Sequence, residues 1–381
     1  MTVVSNVMDN PSAFWVVNSL FVFALSVFCA GVLIPQILLI SFRKRLFDVP
    51  DERKIHQGVV PRLGGIAFKP VVFFSVALAL GLNMLLGYGQ LLGNIGSESR
   101  PLAFGFCTIM MLYLVGMADD LIGIRYRAKF AIQIICGLLV IAGGLWINNL
   151  HGLLFIHALP EWIGYPITLF AVVFIINAIN LIDGIDGLAS GLCGVAMLFY
   201  GLVFLRIGEY IYALLAFATL GVLVPFFYYN VFGDPAKKNK IFMGDTGSLT
   251  IGMMTCILSL KLLDGVPVNP SMQQPNAFFL AYSPLIIPCF DVVRVYLHRV
   301  RNGKNPFLPD KNHIHHKMLA VGMRQRTVMI AIVLVSVCFT LCNILLSRYI
   351  NVTLLLILDI FIWILGNLWL TRRIHIAHSK L

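Results

Sequence analysis

Of the 381 residues, 59% are hydrophobic and only 12% are charged, about half the charge of an average soluble domain, which excludes a water-soluble globular chain. The formal net charge of +11 would suit nucleic acid, but the basic residues sit in short loops between apolar runs rather than along a stripe, so no nucleic-acid partner is expected. All eight cysteines fall inside apolar runs, and without a Cys-x-x-Cys pair or a His–Cys cluster neither a disulfide framework nor a zinc site is indicated.

A membrane span takes about 20 mostly apolar residues. Eleven runs qualify: 14–40, 63–88, 101–118, 129–149, 163–181, 187–206, 210–229, 247–263, 277–297, 326–347 and 352–370. The first lacks a basic leader and a small-residue cleavage site, so it is expected to be a span rather than a removed signal peptide. The stretch 151–158 is too short to cross and is expected at the surface. The fold class is therefore all-α, a polytopic membrane protein of about eleven transmembrane helices forming a single integral-membrane domain over 1–381. Of the 28 Lys and Arg residues, four (Arg100, Arg206, Lys261 and Arg348) fall on one set of connections and Lys69 within a span. The other 23 lie on 41–62, 119–129, 182–186, 230–246, 298–325, the adjoining span ends and the tail. The positive-inside rule then places the N-terminus outside and the C-terminus in the cytosol. The outside acids Glu98, Glu161, Glu209 and Asp264 show no clustering in the sequence, and Asp359 is the clearest mid-span charge. A transporter would instead pair ionisable groups in mid-span.

The chemistry-bearing residues all fall on the inside loops. The first loop carries Asp48–His56, then Pro61-Arg-Leu-Gly-Gly65 opening a helix; it suits either anionic lipid headgroups or close approach of backbone to a phosphate. At the end of the third span Asp119 and Asp120 are adjacent, and two such carboxylates repel unless a cation or proton lies between them. With Arg125, Arg127 and Lys129 following, they suit a magnesium-and-phosphate site, though a solvated helix end would look the same. Next comes Asn177-Ala-Ile-Asn180-Leu-Ile-Asp183-Gly-Ile-Asp186-Gly. Its Asp-Gly steps are ordinary turn chemistry, but amides in an apolar run are costly, and Asn177, Asn180 and Asp183 share one helix face, which suggests that all three converge on one site. Phe242-Met-Gly-Asp245-Thr-Gly-Ser248 opens the eighth span, where glycines admit a ligand, the helix N-terminus favours an anion, and Asp245 is either a hard oxygen ligand or an N-cap. Last is Asp310-Lys-Asn-His313-Ile-His315-His316-Lys317, near Arg294, Arg299 and Arg301, where phosphate contact or proton transfer fits better than zinc.

In combination, Ala-Asp-Asp, Asn-x-x-Asn-x-x-Asp-Gly-x-Asp-Gly-Leu, Phe-x-Gly-Asp-x-Gly-Ser and His-x-His-His resemble the polyprenyl-phosphate N-acetylhexosamine-1-phosphate transferase family over residues 40 to 320. The last loop, Pro306-Phe-x-Pro-Asp310-x-x-His313-x-His-His, is similar to that of the bacterial undecaprenyl-phosphate GlcNAc-1-phosphate transferases that initiate O-antigen, enterobacterial common antigen or wall teichoic acid synthesis. The phospho-MurNAc-pentapeptide transferases carry three adjacent histidines instead. Lys69-Pro70 departs from the family's uninterrupted apolar run and is expected to kink the second span.

The resemblance implies attack by a polyprenyl-phosphate oxygen on the β-phosphorus of a UDP-N-acetylhexosamine, releasing UMP at the cytosolic face of a bacterial inner membrane. It implies a magnesium cofactor, with manganese as a substitute. Asp245 is the leading ligand, Asn180 and Asp183 support it, and Asp120 neighbours it in the metal shell. Asp119 becomes the base or lipid-phosphate contact and Lys129 a support for that phosphate. Asp186 and Phe242 become uridine contacts, and His313, His315, His316, Arg299 and Arg301 diphosphate contacts. Direct displacement and a phospho-aspartate intermediate both stay open, as do a homodimer, the phospho-MurNAc-pentapeptide donor and, in a different class, a non-catalytic lipid-linked transporter.

Overall fold

The computed structural model describes residues 11–46, 60–88, 98–265, 276–303 and 312–378. Among these residues the one β-bridge joins Asn149 to Ala158, and nearly everything else is helical. The helices in chain order are α1 (Pro11–Lys44), α2 (Phe68–Leu85, entered through a 3-10 turn at Gly64–Ala67), α3 (Ser99–Ile122), α4 (Tyr126–Ala142), α5 (Glu161–Ile182), α6 (Leu188–Ile207) and α7 (Tyr210–Val231). They continue with α8 (Gly244–Gly265), α9 (Ala277–Tyr282), α10 (Ile286–Arg301), the short α11 (Ile314–Ala320), α12 (Gln325–Leu346) and α13 (Val352–His378). Among the described residues ten helical segments are long and apolar enough to cross a membrane, α9 through α10 counting as one.

The expected run 129–149 folds differently. Its helix α4 ends at Ala142 after 17 residues, because Gly143 and Gly144 follow and Gly144 turns into the left-handed region at φ 95°. Seventeen residues reach about 25 Å, the short end of a span. The chain then enters the extended segment that pairs Asn149 with Ala158. The 151–158 stretch forms a 3-10 turn at Leu153–Phe155 with Phe155 exposed, as a surface segment should be. Pro70 lies in the first turn of α2, where a missing amide costs little, and α2 runs on past it to Leu85. The Lys69 ammonium sits over the rings of Phe73 and Tyr113, 4.9 and 5.4 Å from their centroids.

At the centre is α8, almost wholly buried and packed against α3, α5, α6 and α9. A buried apolar environment leaves polar side chains only local partners. Thr250 and Thr255 accordingly donate to the carbonyls four residues back, at 2.6 and 2.7 Å. Where the 3-10 turn Ser283–Leu285 breaks the helix between α9 and α10, the Ala281 carbonyl accepts from Tyr200 Oη (2.6 Å) and Ser259 Oγ (3.0 Å) instead. The mid-span Asp359 is buried between helices and accepts from Asn343 Nδ2 at 2.8 Å.

Of the four acids expected to lie apart at the far end of the bundle, Glu98 and Glu209 come together. Lys261 of α8 is buried and ion-pairs with Glu98 (2.9 Å) and Glu209 (3.3 Å), while Tyr212 Oη donates to Glu98 at 2.8 Å. One buried ammonium between two acids of different connections ties α8 to the entries of α3 and α7, a convergence that sequence spacing does not reveal.

Candidate active site

The opposite end carries the basic loops, and its geometry begins with two loops far apart in sequence. Backbone hydrogen bonds join Phe242 N to the Pro61 carbonyl (2.9 Å), Gly64 N to the Phe242 carbonyl (3.0 Å) and Gly65 N to the Met243 carbonyl (2.9 Å). A Cβ on Gly65 would strike the backbone of Gly247, so this approach of loop to helix requires glycine. Gly244 adopts φ 69° beside the Arg62 carbonyl and the Asp120 carboxylate, a second position that suits no L side chain. The third loop is pinned to the fourth by Asn230, which accepts from Gly187 N (2.6 Å) and donates to the Ile241 carbonyl (2.9 Å). The Asp48–His56 part of the first loop and Asp310 lie outside the described residues.

Around the N-terminus of α8 the expected residues sort themselves by what they touch. Asp120 points across from α3 and caps α8: its Oδ1 accepts from Asp245 N (2.8 Å), and its Oδ2 accepts from Thr246 N (2.8 Å) and Thr246 Oγ1 (2.6 Å). A carboxylate on first-turn amides is favoured by both hydrogen bonding and the helix dipole. Asp245 is thus not the cap. Its carboxylate projects from the first turn of α8 and meets Lys129 Nζ at 2.6 Å and Asn180 Nδ2 at 3.2 Å. Lys129 reaches Asp119 as well, at 2.9 Å, and Asp119 also accepts from Ile124 N at 2.6 Å. Lys129 therefore stands between two carboxylates of different helices, the place where opposite charge is needed. Asn180 makes a second bond, to Ser248 Oγ, at 2.8 Å.

Asn177 is not brought to the carboxylates as its helix face suggested. Its amide pairs with Gln133, donating to Oε1 at 2.6 Å, and also donates to the Val173 carbonyl at 2.7 Å. Gln133 lies one turn along α4 from Lys129, so the amide pair forms a floor beneath the site.

Asp183, immediately after α5, is only partly buried but crowded by like charge. Desolvation, then the neighbouring Asp245 and Asp186 carboxylates, push its carboxyl up to about 7. A desolvated carboxyl with other carboxylates beside it marks a place that a cation would stabilise. Asp186 also pairs with Lys240, which it meets at 2.6 Å with both side chains largely buried. Phe242 is half-buried in the fourth loop.

The histidines form a third group. His313 stacks on His315 with ring centroids 5.7 Å apart, and His316 meets His315 at a tilt, with centroids 4.2 Å apart. His315 is 1% exposed and lies against Gly184, where an added Cβ would collide with its ring. Burial, then the neighbouring His316, push its imidazole down to about 3, so it is neutral at physiological pH. Arg299 is buried at the end of α10, whereas Arg301, the last residue of that helix, is exposed. Sequence reading passed over Asn230, Lys240, Thr246, Arg62 and Asp291. For Asp291 a signal existed, since Asp291-x-x-Arg294 places opposite charges one turn apart at the end of an apolar run.

Among the described residues no three His, Cys, Asp or Glu side chains stand ready around one metal position. The donors nonetheless suit a hard cation: Asp245, Asp119 and Asp183 are oxygen donors gathered at one helix mouth, with the Lys129 ammonium already held between two of them.

Residues 102–263 match the family described as Glycosyl transferase family 4. A Bacillus subtilis (strain 168) protein named probable undecaprenyl-phosphate N-acetylglucosaminyl 1-phosphate transferase is 30% identical over 353 residues, covering 91% of this chain and 90% of that protein. Proteins of Yersinia pestis and Escherichia coli (strain K12) named undecaprenyl-phosphate alpha-N-acetylglucosaminyl 1-phosphate transferase are each 31% identical. These two matches cover 78% and 76% of this chain and 76% and 74% of the respective relatives.

Proposed function

The chain belongs to Glycosyl transferase family 4, among the undecaprenyl-phosphate N-acetylglucosaminyl 1-phosphate transferases, and from that premise we propose how its residues carry out the transfer. The enzyme is a multi-pass membrane protein that moves GlcNAc-1-phosphate onto undecaprenyl phosphate. The donor in our reading is UDP-GlcNAc. An oxygen of the lipid phosphate forms the new bond to the β-phosphorus, the bond from that phosphorus to the bridging oxygen breaks, and UMP leaves with the electron pair.

The observation that carries this reading is the convergence of Asp119, Lys129, Asn180 and Asp245 from four helices at the mouth of α8. Phosphoryl transfer asks a protein mainly for positioning and charge neutralisation, and this cluster provides both. Asp245, Asp183 and the Asn180 amide would hold magnesium, or manganese in its place; the ion would neutralise the diphosphate and polarise its oxygens. Asp120, whose oxygens are committed to α8, holds Asp245 at its angle rather than serving as a ligand. Asp119 and Lys129 face the lipid phosphate, Lys129 leaving the carboxylates for phosphate oxygens when substrate arrives. Asp186, locked to Lys240, and Phe242 frame the uridine, and His313, His316, Arg299 and Arg301 meet the diphosphate. His315, being neutral and buried, contributes packing rather than charge.

The concentration of Lys and Arg on these loops supports a cytosolic position for this end of the bundle. Inverted membrane vesicles supplied with undecaprenyl phosphate should release UMP from UDP-GlcNAc, while sealed right-side-out vesicles should do so only after permeabilisation. Turnover of UDP-MurNAc-pentapeptide with none of UDP-GlcNAc would reject the donor. Equal turnover in sealed right-side-out vesicles would reject the orientation.

A further inference from the structure

Asp291 is fully buried, at 0% exposure, and three groups converge on it. Its Oδ1 accepts from Arg294 Nη2 (2.8 Å) and from the backbone N–H of Ile314 (3.0 Å), and its Oδ2 lies 2.8 Å from His313 Nδ1. Arg294 also donates to the Asn312 carbonyl. The carboxylate of α10 therefore clamps the entry of α11, the helix that carries the remaining histidines. From His313 the contact continues by parallel stacking, 7° between planes, onto His315, and from His315 onto the Gly184 backbone next to Asp183.

A carboxylate can only accept, so the ring nitrogen facing it must carry the hydrogen. This fixes the Nδ1–H tautomer of His313 and turns Nε2 away from Asp291, and it stabilises the ring when Nε2 takes up a proton. A buried negative charge is expensive to maintain, which makes its presence at this point of the fold informative. We propose that Asp291 is a positioning residue for the transfer, acting through His313: it holds Nδ1 as the N–H donor and stabilises the imidazolium, whose Nε2–H donates to the diphosphate as negative charge moves toward the leaving UMP. The assignment rests on the functional reading above, which puts His313 at the diphosphate.

Asp291→Asn tests it. Two donors, Arg294 and the Ile314 amide, hold the Oδ1 position, so the amide oxygen stays there and the NH2 group turns to His313. Nδ1 must then accept, so the ring is held neutral with its hydrogen on Nε2 and cannot become the imidazolium. The variant should lose about a hundredfold or more in kcat, the scale of a positioned proton donor, with KM for UDP-GlcNAc little changed. In a His313→Ala background the same substitution should cost about twofold or less, because coupled residues do not add. In protein carrying nitrogen-15-labelled histidine, NMR should find Nδ1–H at His313 in the wild type and Nε2–H in Asp291→Asn. A near-normal kcat, a full additional loss in the His313→Ala background, or a neutral Nε2–H tautomer in the wild type would each overturn the assignment. If Asp291→Asn does not fold, the wild-type tautomer decides. A wild type that turns over no UDP-sugar would reject the functional reading, while the tautomer would still judge Asp291.

Discussion

Replacing Asp245 with Asn is expected to leave a folded, inserted protein that turns over at least about a hundredfold more slowly at every magnesium concentration. Asn keeps the shape of the side chain and one accepting oxygen but removes the negative charge. Were Asp245 the N-cap of α8, Asn would serve about equally well, because the two residues rank alike there. The cap is instead Asp120, which holds the amides of both Asp245 and Thr246, so the Asp245 carboxylate is left to face Lys129 and Asn180. A metal ligand lost from a phosphoryl-transfer site costs several kcal/mol of transition-state stabilisation, and about 1.4 kcal/mol is a factor of ten in rate. Stability should change little, since an ion pair about a quarter exposed contributes at most about 1 kcal/mol. Near-normal turnover of the purified variant would take Asp245 out of the metal site.

The second large effect is expected at Asp120, and its signature differs. Asp120→Asn should lose both activity and stability. An amide has one accepting oxygen where the carboxylate has two, so its NH2 group must face at least one N–H of α8. The lost bonds are charge-assisted and partly buried, and each is worth about 1.5–3 kcal/mol. With α8 uncapped, Asp245 moves off its line to the diphosphate, and a misplacement of about 1 Å can cost a hundredfold in rate. Thermal unfolding in detergent alongside a UMP-release assay separates the two aspartates: Asp245→Asn should unfold with the wild type, and Asp120→Asn well below it. An Asp120→Asn protein as stable as the wild type would contradict the capping role.

The contrast between these two aspartates shows what the sequence could convey. Helix existence was legible because about 20 consecutive apolar residues leave few alternatives, and the position of Asp245 was legible because glycines on either side mark a close approach. The job of Asp120 was not legible, because it depends on the end of α3 meeting the start of α8, 125 residues away. Asn177 failed in the opposite direction. Its spacing placed it correctly on the face of Asn180, yet Gln133 of α4 satisfies it one turn short of the carboxylates. The early end of α4 follows from Gly143 and Gly144, which a hydropathy window averages away. Lys261 with its two acids, and Asp291 with His313, are likewise pairings between distant segments that only packing brings together.

The central claim is that the group transferred is a sugar-1-phosphate, so the fate of the β-phosphorus decides it. UDP-GlcNAc radiolabelled at the β-phosphate should be incubated with the purified protein, magnesium and undecaprenyl phosphate, and the lipid and nucleotide products separated. The label should leave with the lipid, in equal amount to the sugar, and the nucleotide released should be unlabelled UMP. Label recovered as UDP, with sugar alone on the lipid, would contradict the account.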